Sequence, residues 1–271
     1  MKKTHQILLP QMAPIHFALL EQVFRQEGYQ ACLLTNDGPQ VVEEGLKYVH
    51  NDICYPALLV VGQFMNALKS GDYDLDRVAL VITQTGGGCR ASNYIHLLRK
   101  ALVKAGFSQV PVISLNFSGF ERESGFTYTL AMIRKAVATV FYADELMALS
   151  NQVKPYEGTP GETMKLVDQW IVKISKMFKE GKGVSKRDMK KVFREIAEEF
   201  ASIKREKTPK VKVGIVGEIY VKFSPLGNNH LEDFLAKEDC EVNIPGLMGF
   251  IQYFIDNGSQ NIKLYGGNPL V

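Results

Sequence analysis

The feature that most constrains this chain is an alternation of short apolar runs with segments whose apolar residues recur at helical spacing. The clearest run, Arg77 to Thr83, is nearly continuous in apolar residues, as expected of a strand covered on both faces. His5 to Met12, Tyr29 to Thr35 and Val110 to Asn116 read as further strands. Between them, Phe17, Leu20, Val23 and Phe24 mark a helix ended by Gly28. Val41 to Tyr48 and Pro56 to Lys69 form two more helices, another opens at Ser92 and runs to Ala105, and Phe126 to Leu149 completes the set. Strands and helices in this order, with short connections, predict a doubly wound parallel α/β sheet. Ligands of such a sheet gather at the carboxyl ends of its strands.

Beyond residue 150 the pattern changes. Met164 to Phe178 is amphipathic, with Val167, Ile171, Ile174 and Phe178 on one face and Trp170 read as core. Ser185 opens a second amphipathic helix, with Asp188 placed for a capping-box-like arrangement. Lys204 to Lys212, basic and interrupted by Pro209, reads as a solvated linker. A second α/β pattern then begins: a strand at Val211 to Val216, the Gly217-Glu218 turn, a helix near Asn229 to Ala236, a strand at Cys240 to Ile244 and a helix from Leu247 to Asp256. The expectation is two Rossmann-like doubly wound domains joined by helices. Residues 1–150 form the first, 151–208 the bridging helices and linker, and 209–271 a second domain that stops after two βα units and is expected to be incomplete.

Composition narrows the function classes. With 271 residues, 46% of them hydrophobic and 23% charged, the chain can bury a sizeable core. A formal net charge of +3 and dispersed Lys and Arg argue against nucleic acid as a partner. The first twenty residues are broken by His5, Pro10, Gln11, Pro14 and His16, and no later run reaches membrane-spanning length, so a cytoplasmic protein without a membrane partner is expected. Cys32, Cys54, Cys89 and Cys240 are widely separated and form no C-x-x-C pair, which disfavours a disulfide framework or a zinc ribbon.

Two segments place a cysteine at a strand-to-helix loop. In Asn51-Asp52-Ile53-Cys54-Tyr55-Pro56, Pro56 suits the first turn of a helix, so Cys54 faces unpaired backbone N–H groups and the positive end of the dipole. That setting stabilises a thiolate, the metal-binding form; the plainer reading is a small apolar residue at a helix entry. In Thr83-Gln84-Thr85-Gly86-Gly87-Gly88-Cys89-Arg90-Ala91-Ser92-Asn93-Tyr94, three consecutive glycines suit a chain that takes positive φ or approaches another group closely. Such a nest can aim N–H donors at a phosphate, a carboxylate or the sulfides of a cluster. It matches neither the G-x-x-x-x-G-K-[ST] loop nor G-x-G-x-x-G, which argues against a nucleotide, and a flexible turn with an incidental cysteine is the plain alternative. Arg90 either holds an anion or tunes a cluster by its charge, against a simple solvated arginine.

Loops of neighbouring βα units converge on one crevice, so Cys54 and Cys89 can meet there as iron–sulfur ligands. A four-cysteine cluster needs more, drawn from Cys32, a later part of the chain or a partner, although Cys32 and Cys240 read better as core residues within strands. The histidines, His5, His16, His50, His96 and His230, are scattered and form no catalytic arrangement. Gly217-Glu218 and Asn228-Asn229-His230 are candidates for lining the same cleft, with helix capping by Asn228 or Asn229 the simpler role.

Four segments, Ile7 to Met12, Asn51 to Ala57, Gln84 to Tyr94 and Gly214 to Glu218, resemble the uncharacterised proteins related to 2-hydroxyacyl-CoA dehydratases and their CoA-enzyme activases. The resemblance spans most of residues 1–256, and the glycine–cysteine segment is its most specific part. It implies tandem Rossmann-like domains and a 4Fe-4S iron–sulfur cluster that serves electron transfer or reduction in anaerobic metabolism. It also implies an ATP-dependent activator as partner, in the same longer chain or separate, and an acyl-CoA or other small-molecule substrate. Cys54 and Cys89 match two of the family's cluster ligands, with Gly86, Gly87, Gly88 and Arg90 around them, while the third family cysteine would fall beyond Val271, so the cluster is expected to be incomplete in, or lost from, this chain. The reading from another class is a non-catalytic binding module, its cysteines structural and its glycine loop holding an anion.

Overall fold

The computed structural model describes residues 2–84, 89–115, 127, 129–206 and 208–266, apart from the side chain of Phe254. Four parallel strands, β1 (Gln6–Leu9), β2 (Gln30–Leu33), β3 (Val78–Thr83) and β4 (Val112–Leu115), form one sheet in the order β2-β1-β3-β4. Its register puts Ile7 beside Ala31 on one side and Ala79 on the other. Side chains alternate across a strand, and here both faces are apolar. Ile7, Leu9, Ala79 and Val81 belong to one core, and Leu8, Val78, Leu80 and Ile82 to the other.

The helices follow from this two-sided burial. α1 (Pro14–Gln26) and α5 (Leu130–Val153) cover the first face, backed by α6 (Glu162–Lys179) and α7 (Lys186–Ser202). α2 (Pro39–Tyr48), α3 (Tyr55–Lys69) and α4 (Tyr94–Ala105) cover the second. Trp170 is buried in the first core, as its position in the apolar stripe of α6 predicts. The Tyr142 hydroxyl donates to the Gly183 carbonyl at 2.8 Å and pins the α6–α7 turn to α5. Ser185 accepts from the Asp188 amide at 3.1 Å, which satisfies one of the unpaired donors at the start of α7.

α2 and α3 cross at two glycines. A Cβ on Gly62 would stand 2.1 Å from the Val41 carbonyl oxygen, and one on Gly45 would stand 2.4 Å from that of Leu58. No other residue type fits this approach without moving a backbone. The crossing therefore fixes the height and direction of α3, whose first turn carries Cys54.

A separate parallel pair, β5 (Val211–Gly214) and β6 (Cys240–Asn243), follows the bridging helices. Its connection holds α8 (Ile219–Phe223), α9 (Pro225–Asn228) and α10 (Leu231–Lys237), and α11 (Leu247–Tyr265) comes after β6. Ile215, Phe223, Val242 and Ile244 form a third core with Ala13 and Met147, which seats this sheet on α1 and α5. Two expectations need adjustment: α8 and α9, at five and four residues, are too short to leave a periodic signal, and α11 runs nine residues past Asp256. Among the described residues no helix is long and apolar enough to cross a membrane.

Candidate functional site

The strand order reverses direction between β1 and β3, and in open α/β sheets that is where a crevice opens beyond the carboxyl ends. The loops there are tied together by Gln63 of α3, which is buried. Its Oε1 accepts from the Gln11 amide at 2.9 Å, and its Nε2 donates to the Asn36 carbonyl at 2.9 Å. Asn36 returns a bond to the Gln63 carbonyl at 3.0 Å, so one side chain joins the loops after β1 and β2 to α3.

Cys54 stands at the N-cap of α3, with Pro56 in the first turn, as its sequence context predicts. Its carbonyl already accepts from the Ala57 and Leu58 amides at 3.0 and 3.3 Å. Its side chain makes no capping bond, and Sγ lies 3.3 Å from the Tyr94 hydroxyl. Cys89 stands at the N-cap of a short 3-10 turn, Arg90–Asn93, that runs straight into α4 at Tyr94. Gln84 braces that turn: its Nε2 donates to the Ser92 carbonyl at 3.0 Å and its Oε1 accepts from the Ser114 hydroxyl at 3.1 Å.

Tyr94 reports how the two cysteines are disposed. Burial pushes its phenol well above the usual tyrosine range, and a hydrogen bond and charge from Cys54, then charge from Cys89 and Glu218, push it further. Of these groups Cys54 is in hydrogen-bond contact with the hydroxyl, while Cys89 and the Glu218 carboxylate of the second sheet's first loop act on it by charge. Glu218 also caps α8, accepting from the Tyr220 and Val221 amides at 3.1 and 2.9 Å. Tyr220 is buried against α3. Burial raises its phenol to about 12, with Ser224 working against the rise and Tyr55 and Glu218 adding to it. The site is therefore built from both parts of the chain.

Of the residues expected here, Cys54 meets the Tyr94 hydroxyl, Cys89 begins the 3-10 turn that leads into Tyr94, and Arg90 is exposed on that turn. Gly86, Gly87 and Gly88 lie outside the described residues. Cys32 faces elsewhere, its sulfur 4.0 Å from the Tyr73 hydroxyl, and the Cys240 thiol donates to the Glu238 carbonyl at 3.4 Å. The N-cap of α10 is His230, neither Asn228 nor Asn229, although Asn228 at the end of α9 accepts from the Leu231 amide at 3.1 Å. Tyr94 and Tyr220 are the residues that sequence reading did not single out. Tyr94 had a signal in its place directly after the glycine–cysteine segment; Tyr220 sits in a helix too short to register.

Sulfur is a soft donor suited to iron or a comparable metal, and a cluster of the four-cysteine type takes four such ligands, more than these two thiols. Among the described residues no group of three or more His, Cys, Asp and Glu side chains is gathered to hold a metal ion.

Two cavities lie farther along the same edge of the sheet. One, about 170 Å³, is lined by His16, Asn151, Lys154 and His230 among others. The second, about 360 Å³, is lined by Asp37, Val42, Leu226 and again His230. His230 Nε2 lies 2.9 Å from an Asp37 carboxylate oxygen, so it bridges α10 to the loop after β2. It does so from a left-handed backbone, φ 57°, next to Asn229 at φ 56°, conformations that cost energy in a residue with a Cβ. Neither Cys54 nor Cys89 lines these cavities.

Compared with models of protein families, with curated proteins and with solved structures, the chain matches none.

Proposed function

We propose that this chain is an iron–sulfur electron-transfer or reductive component resembling 2-hydroxyacyl-CoA dehydratase subunits, cytoplasmic and working with an ATP-dependent activator. In this reading Cys54 and Cys89 are ligands to a cluster of the 4Fe-4S type, and the remaining ligands come from outside these two loops. The β5–β6 pair with its helices then serves as the second Rossmann-like half, closing over the crevice from the side of Glu218. The observation that carries the reading is that Cys54 and Cys89 stand at helix entries of different crossovers at the carboxyl edge of the sheet, Cys54 Sγ lying 3.3 Å from the hydroxyl of Tyr94 in the segment that Cys89 begins. A bound cluster would supply one-electron chemistry that protein side chains lack, while burial and nearby donors set its potential. An acyl-CoA or another small molecule is the substrate class that goes with it.

Anaerobic reconstitution with iron and sulfide tests this, read by iron content, absorbance and electron spin resonance. Iron uptake with a cluster spectrum is expected, and Cys54→Ser and Cys89→Ser should each abolish or alter it. A full-length protein that takes up no iron would sink the reading and leave the alternative of a binding module with structural cysteines.

A further inference from the structure

We infer that the turn end of the α6–α7 hairpin is a docking surface for an acidic face of a partner protein. The inference is independent of the cluster reading. Residues 176–194 hold eight Lys and Arg against two acids, Glu180 and Asp188, a net charge of +6 in a chain whose total is +3. All eight cations are exposed. Lys182 meets Glu180 at 2.9 Å and Lys191 meets Glu195 at 3.7 Å. Lys176, Lys179, Lys186, Arg187, Lys190 and Arg194 have no carboxylate within ion-pair distance among the described residues.

This order of charges works against the fold. A helix favours acids in its first turn and cations in its last. α6 obeys, with Glu162 at its start and Lys176 and Lys179 at its end. In α7 only Asp188 does: Lys186 and Arg187 open the helix, and Glu198 and Glu199 stand near its close. Because α7 turns back along α6, where Lys173 meets Glu199 at 2.7 Å, the cations ending α6 and those starting α7 gather at one end of the hairpin. Along α7, Lys186 and Lys190, Arg187 and Lys191, and Lys190 and Arg194 are like-charge neighbours four residues apart, which repel. A face that needs only water is served as well by mixed signs, so solvation does not account for the pattern.

The make-up of the patch selects the partner. Val192, Ile196 and Phe200 of α7 are buried in the first core, and Met189 and Phe193 pack against it, so the apolar side of the helix is not available to enter a bilayer. No exposed aromatic side chain falls within 176–194 to stack on the bases of a single strand. Six of the eight cations are Lys, point charges suited to separate carboxylates, where phosphate recognition favours the fork of Arg. The patch also lies away from the crevice. α1 starts at the carboxyl edge of the first sheet and ends at the opposite edge, where Gln26 Nε2 donates to the Ser175 carbonyl of α6 at 2.7 Å. A partner held there leaves the crevice open.

The test titrates the full chain with poly-L-glutamate as the acidic polypeptide. Phosphatidylcholine vesicles containing phosphatidylserine and a short DNA duplex serve as comparisons. Poly-L-glutamate should bind at low salt and release as salt screens the charges. The triple variant Lys186→Gln, Lys190→Gln, Arg194→Gln should bind about tenfold more weakly, and the control Lys3→Gln, Lys100→Gln, Lys237→Gln should stay within about twofold of wild type. Absence of binding at low salt, equal losses in the two triple variants, or tighter binding to vesicles or duplex overturns the inference. A single variant, Arg187→Glu, tests the cost to the fold: it should raise the thermal midpoint of the free protein while weakening poly-L-glutamate binding. A lowered midpoint would show that Arg187 serves the fold and would overturn the inference as well. If the patch triple variant does not fold, Arg187→Glu decides alone.

Discussion

The two sheets of this protein are built from the same βα unit and end in different states of burial. In the first, the strand β3 is buried from Val78 to Ile82, and helices lie on both faces. In the second, β5 is exposed or half-exposed along its length, with Val211 68% exposed, and β6 buries Val242 alone. The number of crossovers explains this. A parallel sheet hides both faces only when successive crossovers pass on opposite sides, and the first sheet has three crossovers where the second has one. Rigidity at the candidate site therefore comes from the first sheet, and the second contributes Glu218 and Tyr220 by leaning on it.

If that division is right, the largest losses come from truncations in the α2–α4 core. Phe64 of α3 is fully buried there. Phe64→Ala should cost about 4 kcal/mol, the range for removing a buried ring and leaving a cavity. Urea unfolding at neutral pH measures it, and a loss under about 1 kcal/mol would mean that this core repacks and does not rigidly support Cys54.

Next in size is the crossing beneath the site. Gly62→Ala would drive a methyl group to 2.1 Å from the Val41 carbonyl oxygen and 2.9 Å from the Gly45 amide nitrogen. Backbone lies on both sides, so the helices must separate, at a cost of about 3 kcal/mol. In a freely exposed helix the same change would stabilise, so the sign of the measured change separates the two cases.

Between the sheets, Asp144 of α5 holds the second unit in place. One carboxylate oxygen lies 2.8 Å from Nε2 of the buried His16, and the two oxygens accept from the Leu247 and Met248 amides at 2.7 and 2.8 Å, capping α11. Burial alone would raise its pKa, but His16 and the two amides outweigh that and hold the carboxyl below its usual value. The folded value is depressed, so the stabilisation is fully present above about pH 4 and lost as pH falls through the folded value. Asp144→Asn should cost about 2 kcal/mol at pH 7, with the gap to wild type closing below about pH 4. A gap independent of pH would show that the charge of Asp144 does not matter to the junction.

These sites also mark how far the sequence could be read. The unbroken apolar run of β3 announced a strand buried on both faces, and Pro56 announced the helix entry that places Cys54, because each signal is local. Gly62 gave no such signal: within α3 it counts only as a poor helix former, and its purpose appears when Val41 is brought against it. His16 and Asp144 are 128 residues apart and pair only through the stacking of α1 on α5. The Cys54–Tyr94 contact was half legible, since converging loops bring the segments together but say nothing of which atoms meet.

The smallest effect is the sharpest test of the contrast between the sheets. Val81 in β3 is 1% exposed and Val211 in β5 is 68% exposed, and both are strand valines in parallel ladders. Val81→Ala should cost about 2 kcal/mol, from lost methyl burial and the cavity left behind. Val211→Ala should change stability by less than about 0.5 kcal/mol, as exposed substitutions do. The chemical change is identical, so the difference reports the unequal surroundings of the two valines, a buried central strand against an exposed edge. A loss at Val211 as large as that at Val81 would mean that the open face of β5 is covered in solution, and the second sheet would then no longer be the weaker of the two.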